Sequence, residues 1–301
     1  MLKLESSVVE RLSAIRLVLM DIDGTLVTAS RKSFDNVLQQ LRKLKPLGIN
    51  FSLATGRSIY GARPFAQKLQ LVGMRLPPMI AYNGAVVVSA EDASIILRSI
   101  IPAELFRAVV MACRKHGYPL LAYSCNSRFD FSAHERVFAE SRRANAREFN
   151  GMLIEMVRDL TEVEAEFVAV LVDLDNHTHA TRAQAVLANE FGGRLRVTTS
   201  GANYVEICAT AGNKLQAMLE LAHLRKIHVS EILAIGDNYN DLEMIKGAGV
   251  GAAVANSPPA VRAAADIECT RAGAEGVVEI LRTLARVVRS RSSLHRRANS
   301  A

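Results

Sequence analysis

The sequence contains no tryptophan, and aromatic residues make up only 5% of its 301 residues. Proteins that stack single-stranded nucleic acid on aromatic side chains need several such rings, so this composition disfavours that class.

Cysteine is scarce as well. The four cysteines, at positions 113, 125, 208 and 269, are widely separated and form no CxxC pair. Their spacing fits neither a zinc knuckle nor a disulfide framework and indicates a reducing compartment.

Long apolar runs are also missing. No stretch reaches the roughly 18 apolar residues that a membrane-spanning helix needs. The apolar segment 14–20 contains Arg16 and continues directly into Asp21, unlike the core of a signal peptide. We therefore expect a cytoplasmic protein with no membrane partner.

The formal net charge of +7 is concentrated near one end of the chain. From Val277 onward, six arginines against one glutamate account for +5 of this charge, and the rest of the chain is nearly balanced. This distribution favours an amphipathic last helix that continues into a basic tail, residues 287–301, over binding to nucleic acid.

Half of the residues are hydrophobic, as in ordinary globular domains, and they follow an alternating pattern. Apolar runs over 15–20, 49–54 and 79–82 predict strands, and the amphipathic segments 34–45 and 58–71 between them predict helices. Strands that alternate with helices predict an α/β fold, with a Rossmann-like, doubly wound parallel sheet covered on both faces.

The pattern changes after Gly84. The next segments predict a hairpin over 85–100, helices over 102–116 and 181–191, and strands over 167–172 and 204–207. The first pattern then returns, with a helix over 214–224 and a strand over 231–235. We therefore predict a core of residues 1–85 and 208–301 that is interrupted by an inserted α+β cap domain, residues 86–207.

The segment Asp21-Ile22-Asp23-Gly24-Thr25 lies where the first predicted strand ends. In open parallel sheets the ligand crevice lies at the carboxyl ends of the strands. Two carboxylates two residues apart on an extended chain lie on one side, about 6.5 Å apart. One can attack a substrate while the other handles a proton. Because Asp and Gly are common turn formers, this segment alone is also compatible with a surface turn.

Other predicted strand and helix ends carry complementary groups. Thr55-Gly56 offers a hydroxyl and a flexible backbone amide for a phosphate oxygen, and Lys214 places an ammonium at the start of a helix, where anions are favoured. The segment 236–241 follows a predicted strand and supplies carboxylate and amide oxygens, which suit Mg²⁺. No Walker loop is present, and no Rossmann glycine fingerprint follows the first strand.

With these motifs, the sequence resembles the haloacid dehalogenase superfamily of phosphohydrolases, specifically its Cof-type branch with a large α/β cap. The segments that carry the resemblance appear in the family's order: LVLMDIDGTLV, SLATGR, Asn83-Gly84, Asn213-Lys214 and AIGDNYNDLEM. The resemblance implies an enzyme, a phosphomonoester hydrolase that acts on small phosphorylated metabolites, with sugar phosphates favoured.

The resemblance also implies a role for each matching residue. Asp21 is expected to be the nucleophile that forms an aspartyl-phosphate, and Asp23 the acid and base. The ion Mg²⁺ is expected to be held by Asp21, the carbonyl of Asp23 and Asp237, with Asn238 or Asp241 assisting directly or through water. The groups expected to hold the phosphate are the amide of Ile22 and the residues Thr25, Thr55, Gly56, Lys214 and Asn240.

Substrate choice is expected to depend on the cap. Arg57 and Asn83 are candidate substrate contacts, although Arg57 can instead pair with an acidic neighbour. Further candidates in the cap are Tyr123, Asn126, Arg128, Arg142 and Arg143. Two alternatives stay open: a phosphosugar mutase of the same superfamily, and a non-catalytic regulator that binds sugar phosphates. Neither the natural substrate nor the oligomeric state follows from the sequence.

Overall fold

A computed structural model describes residues 2, 4–27, 32–70, 79–88, 95–125, 135–140, 153–200 and 203–298. Its strands are β1 (Leu17–Met20), β2 (Asn50–Ala54), β3 (Met79–Ala81), β4 (Val86–Val88), β5 (Ile95–Arg98), β6 (Leu120–Cys125), β7 (Glu135–Ala139), β8 (Ile154–Met156), β9 (Phe167–Asp173), β10 (Leu195–Ser200), β11 (Tyr204–Ala209), β12 (Ile232–Gly236), β13 (Val250–Ala253) and β14 (Ile267–Glu268). Its helices are α1 (Ser6–Ser13), α2 (Lys32–Leu44), α3 (Ile59–Gln70), α4 (Ala103–His116), α5 (His177–Phe191), α6 (Lys214–Arg225), α7 (Leu242–Gly247), α8 (Pro259–Ala264) and α9 (Gly273–Ala298).

The chain divides into two compact units. The first unit comprises Met1–Thr55, Phe65–Met79 and Met218–Ala301, and the second comprises Gly56–Pro64 and Ile80–Ala217. The second unit therefore contains the segment predicted to form the cap together with short flanking segments. The predicted cap boundaries, 86 and 207, stay a prediction.

The first unit contains a parallel sheet with the strand order β14-β13-β12-β1-β2. Every residue of β1 and β12 is apolar and buried, as expected for parallel strands that are covered on both faces. Helix α9 packs against α1 and α2, and α7 packs against β12 and β13. These elements confirm the predicted α/β class.

The strand order of this sheet reverses at β1. The chain passes from β1 to β2 on one side and later returns to β12 on the other side. In open α/β sheets, ligands bind outside the carboxyl ends of the strands at such a switch point. The topology therefore predicts a ligand site beside the residues that follow Met20 and Gly236.

The second unit contains a six-stranded sheet with the order β10-β11-β9-β6-β7-β8, in which only the pair β7–β8 is parallel. Residues of α4 and α5, such as Val110 and Leu187, form one hydrophobic core with Val205 and Ile207 of β11. Side chains alternate along a strand, so Glu206 lies on the opposite face of the sheet. This face carries the polar groups described below.

Among the residues that the structure describes, no helix combines the length and the apolar character needed to cross a membrane.

Candidate active site

The strands β1, β2 and β12 end at the same edge of the parallel sheet. Met20 is paired with Ile235 of β12 and with Leu53 of β2. The backbone N–H of Asp21 continues this pairing by donating to the carbonyl of Ile235 at 3.0 Å. The predicted site residues Asp21, Thr55 and Asp237 therefore follow directly from three neighbouring strands.

Three carboxylates meet at this edge. One oxygen atom from each of Asp21, Asp237 and Asp241 can be chosen so that all three lie within 4.8 Å of one another. Asp21 and Asp241 are buried. Like charges at this spacing repel one another in a protein interior unless a cation or a proton compensates them. The cluster therefore suits a divalent cation that prefers hard oxygen ligands.

Local hydrogen bonds fix the orientation of two of these carboxylates. Oδ2 of Asp241 accepts the backbone N–H groups of Asp237 and Asn238, each at 3.0 Å. Oδ1 of Asp237 accepts the hydroxyl of Thr25 at 2.7 Å. Thr25 was predicted to help hold the phosphate, and in this structure its hydroxyl orients a carboxylate of the cluster.

The carboxylate of Asp237 packs directly against Gly24, where no side chain would fit. Gly24 has a φ of +81°, and a Cβ atom at this position would lie 2.2 Å from Oδ2 of Asp237. The carbonyl of Gly24 accepts the Nδ2 group of Asn256 at 3.0 Å, and Oδ1 of Asn256 accepts the N–H of Gly273 at 2.7 Å. Asn256 therefore ties the turn that carries Asp23 and Gly24 to the start of α9.

Asn256 was not among the predicted site residues. The signal for it was available, because Asn256 follows shortly after β13, another strand of the parallel sheet. Because β13 pairs with β12 in parallel, the residues after β13 lie at the same edge of the sheet as the residues after β1 and β12.

The remaining predicted residues of the first unit differ in exposure. Ile22 and Thr55 are buried, whereas Asp23 is exposed. Oδ1 of Asn238 accepts the N–H of Tyr239 at 2.8 Å, and Asn240 lies next to Tyr239 in the same short turn. Of the two residues predicted to assist the metal, Asp241 contributes a carboxylate to the cluster, and Asn238 precedes the same short turn.

The second unit brings together another set of predicted residues. Lys214 is the first residue of α6 and is only 1% exposed. Lysine is almost never buried to this extent without a charged partner, so its position is typical of an anion-binding group. Gly84 lies close to it, because a Cβ atom on Gly84 would lie 2.8 Å from the backbone nitrogen of Lys214. Gly56 and Asn83 are also in contact: a Cβ atom on Gly56 would lie 3.0 Å from Nδ2 of Asn83.

Two carboxylates of the six-stranded sheet hold Asn83 and its neighbour Tyr82, and neither carboxylate was predicted from the sequence. Nδ2 of Asn83 donates to Glu206, and the hydroxyl of Tyr82 donates to Glu135. Glu206 had a signal in the sequence, because it is the single charged residue of an otherwise apolar strand segment. Glu135 had none. Burial raises the pKa of the Glu135 carboxyl, and burial together with the nearby Glu135 carboxylate raises the pKa of Tyr82 well above its usual value.

A cavity of about 170 Å³ lies within the second unit. Its lining includes Arg57, Tyr82, Tyr123 and Glu206. The rings of Tyr82 and Tyr123 meet edge to face, with their centroids 5.5 Å apart. The other predicted cap residues, Asn126, Arg128, Arg142 and Arg143, lie outside the described residues.

Comparison with known proteins agrees with this geometry. A family model for haloacid dehalogenase-like hydrolases matches residues 18–281. The phosphoglycolate phosphatase of Methanopyrus kandleri is 27% identical over 268 residues, which cover 89% of this chain and 96% of that protein. The HMP-PP phosphatase of Cronobacter sakazakii is 24% identical over 253 residues, which cover 81% of this chain and 85% of that protein.

A solved structure is similar over the same extent. It is a haloacid dehalogenase-like hydrolase from Bacteroides thetaiotaomicron, which aligns with a TM-score of 0.74 and 25% identity over 89% of this chain and 98% of that chain. Because the family match covers most of the sequence, the chain belongs to the haloacid dehalogenase-like hydrolases and is a phosphatase enzyme of that family.

Proposed function

We propose that this phosphatase is a Mg²⁺-dependent phosphomonoesterase that works through an aspartyl-phosphate on Asp21. The observation that carries the proposal is the cluster of Asp21, Asp237 and Asp241 at the carboxyl ends of β1 and β12. Such a cluster has little structural value, because buried like charges are costly. It is useful where a cation is held next to a nucleophile.

The residues present fit Mg²⁺. All three acidic side chains of the cluster offer hard oxygen atoms, and the backbone carbonyl of Asp23 is a further candidate ligand. When bound, Mg²⁺ would supply the positive charge that lets an anionic carboxylate approach an anionic phosphate.

The reaction proceeds in two steps. An oxygen of Asp21 attacks phosphorus, the bond from phosphorus to the ester oxygen breaks, and the leaving alcohol takes a proton from Asp23. Asp23 then accepts a proton from water, whose oxygen attacks the phosphorus of the aspartyl-phosphate. The bond between phosphorus and the Asp21 oxygen breaks, inorganic phosphate leaves, and Asp21 and Asp23 return to their starting states. The exposure of Asp23 supports this role.

Several groups are proposed to hold the three phosphoryl oxygens as charge redistributes in the transition state. Fixed donors and cations act most strongly when they are positioned in advance and shielded from water, as the buried Lys214 is. The proposed set is the amide of Ile22, Thr55, Gly56, Lys214 and Asn240.

The substrate is proposed to be a small phosphorylated metabolite, with sugar phosphates the favoured class. The names of two relatives, a phosphoglycolate phosphatase and an HMP-PP phosphatase, support a small substrate. The cavity of about 170 Å³ in the second unit suits a compact leaving group. We assign substrate choice to the inserted cap, residues 86–207, and Arg57 and Asn83 stay candidate contacts.

The test is phosphate release from a panel of phosphorylated metabolites, with Mg²⁺ and with a chelator in excess. We expect release from one or a few sugar phosphates and its loss with the chelator. A requirement for a bisphosphorylated activator would instead indicate a phosphosugar mutase. Binding of sugar phosphates without any release would indicate a regulator.

A further inference from the structure

A strained turn follows β3 in the second unit. Tyr82, Asn83 and Gly84 all have positive φ, at +49°, +52° and +102° respectively. This conformation is uncommon for residues other than glycine and is an outlier for a bulky residue such as tyrosine. Such a turn persists only where surrounding contacts hold it, and turns of this kind concentrate at functional sites.

Two carboxylates of the six-stranded sheet supply those contacts. Glu206, on β11, accepts the side-chain amide of Asn83, and Glu135, at the start of β7, accepts the hydroxyl of Tyr82. Glu135 also accepts the backbone N–H groups of Ile59 and Tyr60, at 2.7 and 2.6 Å. The side chains of both non-glycine residues in the turn are therefore anchored to the sheet by charge-assisted hydrogen bonds.

The turn contacts two groups that are proposed to hold phosphate. On one side, a Cβ atom on Gly56 would lie 3.0 Å from Nδ2 of Asn83 and 3.2 Å from Oε1 of Glu206. On the other side, a Cβ atom on Gly84 would lie 2.2 Å from the carbonyl carbon of Asn213 and 2.8 Å from the backbone nitrogen of Lys214. The turn therefore packs closely against Gly56 and against the start of α6, and a shift of the turn toward either one would displace it.

We propose that Glu206 is a positioning residue for the phosphatase reaction: through Asn83 it fixes the strained turn, and the turn fixes Gly56 and Lys214. Glu135 holds the same turn through Tyr82. This inference rests on the proposed function, because it assigns Gly56 and Lys214 to the transferring phosphoryl group. It gives a cap residue outside the family motifs a role in the chemical step as well as in substrate choice.

The test exchanges the donor and the acceptor in the hydrogen bond between Asn83 and Glu206. Asn83→Asp places two carboxylates against each other while keeping a residue that tolerates positive φ. We expect kcat to fall about 100-fold, with a smaller change in KM, and the inhibition constant for orthophosphate to rise about tenfold. Adding Glu206→Gln restores a donor opposite an acceptor. The double variant is expected to recover kcat to within about tenfold of the wild-type value.

Glu155→Gln is the matched control. Glu155 lies in the same sheet, on β8, and its carboxylate pairs with Arg136 at the surface. This variant is expected to keep the wild-type kcat and orthophosphate affinity. Should Asn83→Asp fail to fold, as judged by circular dichroism, Glu206→Ala takes its place. It removes the acceptor without adding a charge, and we expect the same direction of change in kcat and orthophosphate affinity.

Unchanged kcat and orthophosphate affinity in folded Asn83→Asp or Glu206→Ala would overturn the positioning role. A folded double variant that is as impaired as Asn83→Asp would also overturn it. Failure of the proposed function would look different, because the wild-type protein itself would release no phosphate. The positioning role would then be judged by orthophosphate affinity alone, and equal values for the wild type and Asn83→Asp would reject it.

Discussion

In the first unit, the candidate catalytic carboxylates follow the ends of β1 and β12, whereas in the second unit Glu206 lies in the middle of β11. The strands β1 and β12 are apolar and buried along their whole length. In β11 buried and partly exposed residues are mixed, with Val205 and Ile207 in the core on one face.

The difference follows from how each sheet is covered. Parallel strands with helices on both faces have no place for a charge along their length, so polar groups gather where the strands end. An antiparallel sheet with one face packed on helices can carry a carboxylate inside a strand. Chemistry in the first unit is therefore concentrated in short contiguous motifs. Supporting groups in the second unit are single residues, far apart in the sequence.

In the first unit, among changes that keep every carboxylate, the largest expected effect comes from filling the space at the strand ends. In Gly24→Ala, the new methyl group would lie 2.2 Å from Oδ2 of Asp237 and would displace a carboxylate of the cluster. We expect kcat/KM to fall about 100-fold, because a displacement of about 1 Å at a catalytic group has effects of this size. The positive φ adds a loss of about 1 to 2 kcal/mol in the free energy of unfolding.

Gly48→Ala separates these two effects. Gly48 has nearly the same φ, +80°, and a Cβ atom there would contact nothing within 4 Å. Chemical denaturation of this variant should show a similar loss from the backbone, and its kcat/KM should match the wild type. If the two variants lost the same kcat/KM, the loss in Gly24→Ala could not be attributed to displacement of the Asp237 carboxylate.

The smallest expected effect comes from the surface charges of the second unit. The carboxylate of Asp159 accepts the hydroxyl and N–H of Thr161 and pairs with Arg114, and these contacts lower its pKa to about 2. A carboxyl whose pKa is depressed by folding contributes stability above its unfolded value, and this stability is lost as the pH falls through the folded value. In Asp159→Asn, part of the acid destabilisation between about pH 4 and pH 2 should be absent.

Melting temperatures across that pH range test this prediction. At neutral pH the wild type should be modestly more stable than Asp159→Asn, because exposed ion pairs contribute little. The two proteins should converge as the pH falls to about 2 and below, because the wild-type carboxyl becomes protonated in that range. Parallel curves, with a constant difference down to the lowest pH, would show that Asp159 does not stabilise the second unit through its charge.

Much of the fold was predictable from the sequence, because hydrophobic periodicity is strong in it. The strands predicted over 15–20 and 49–54 are β1 and β2, and the helix predicted over 214–224 is α6, each within two residues at either end. The helix predicted over 181–191 begins earlier, at His177, because Oδ1 of Asn176 accepts the N–H of His179 and caps it.

The carboxylate cluster was predictable because a parallel sheet places the carboxyl ends of its strands side by side. Asp21 and Asp237 each follow an apolar strand directly, and a parallel sheet brings such ends together. Glu135 and the order of β6, β7 and β8 were not predictable. They depend on pairings between segments that are distant in the sequence and carry weak periodicity. The role of Asn83 as the donor to Glu206 likewise depends on a turn conformation that no local pattern specifies.

The proposed mechanism requires that the carboxylate of Asp21 captures the phosphoryl group. The most direct measurement is mass spectrometry of the peptide that contains Asp21, after acid quenching of the enzyme during turnover of a phosphate ester. The claim predicts a phosphoryl mass increment on Asp21 in the wild type. It predicts no increment in Asp21→Asn, whose turnover should fall by at least about 10⁴-fold while ester binding is retained. A phosphoryl group on a different residue, or undiminished hydrolysis by Asp21→Asn, would contradict it.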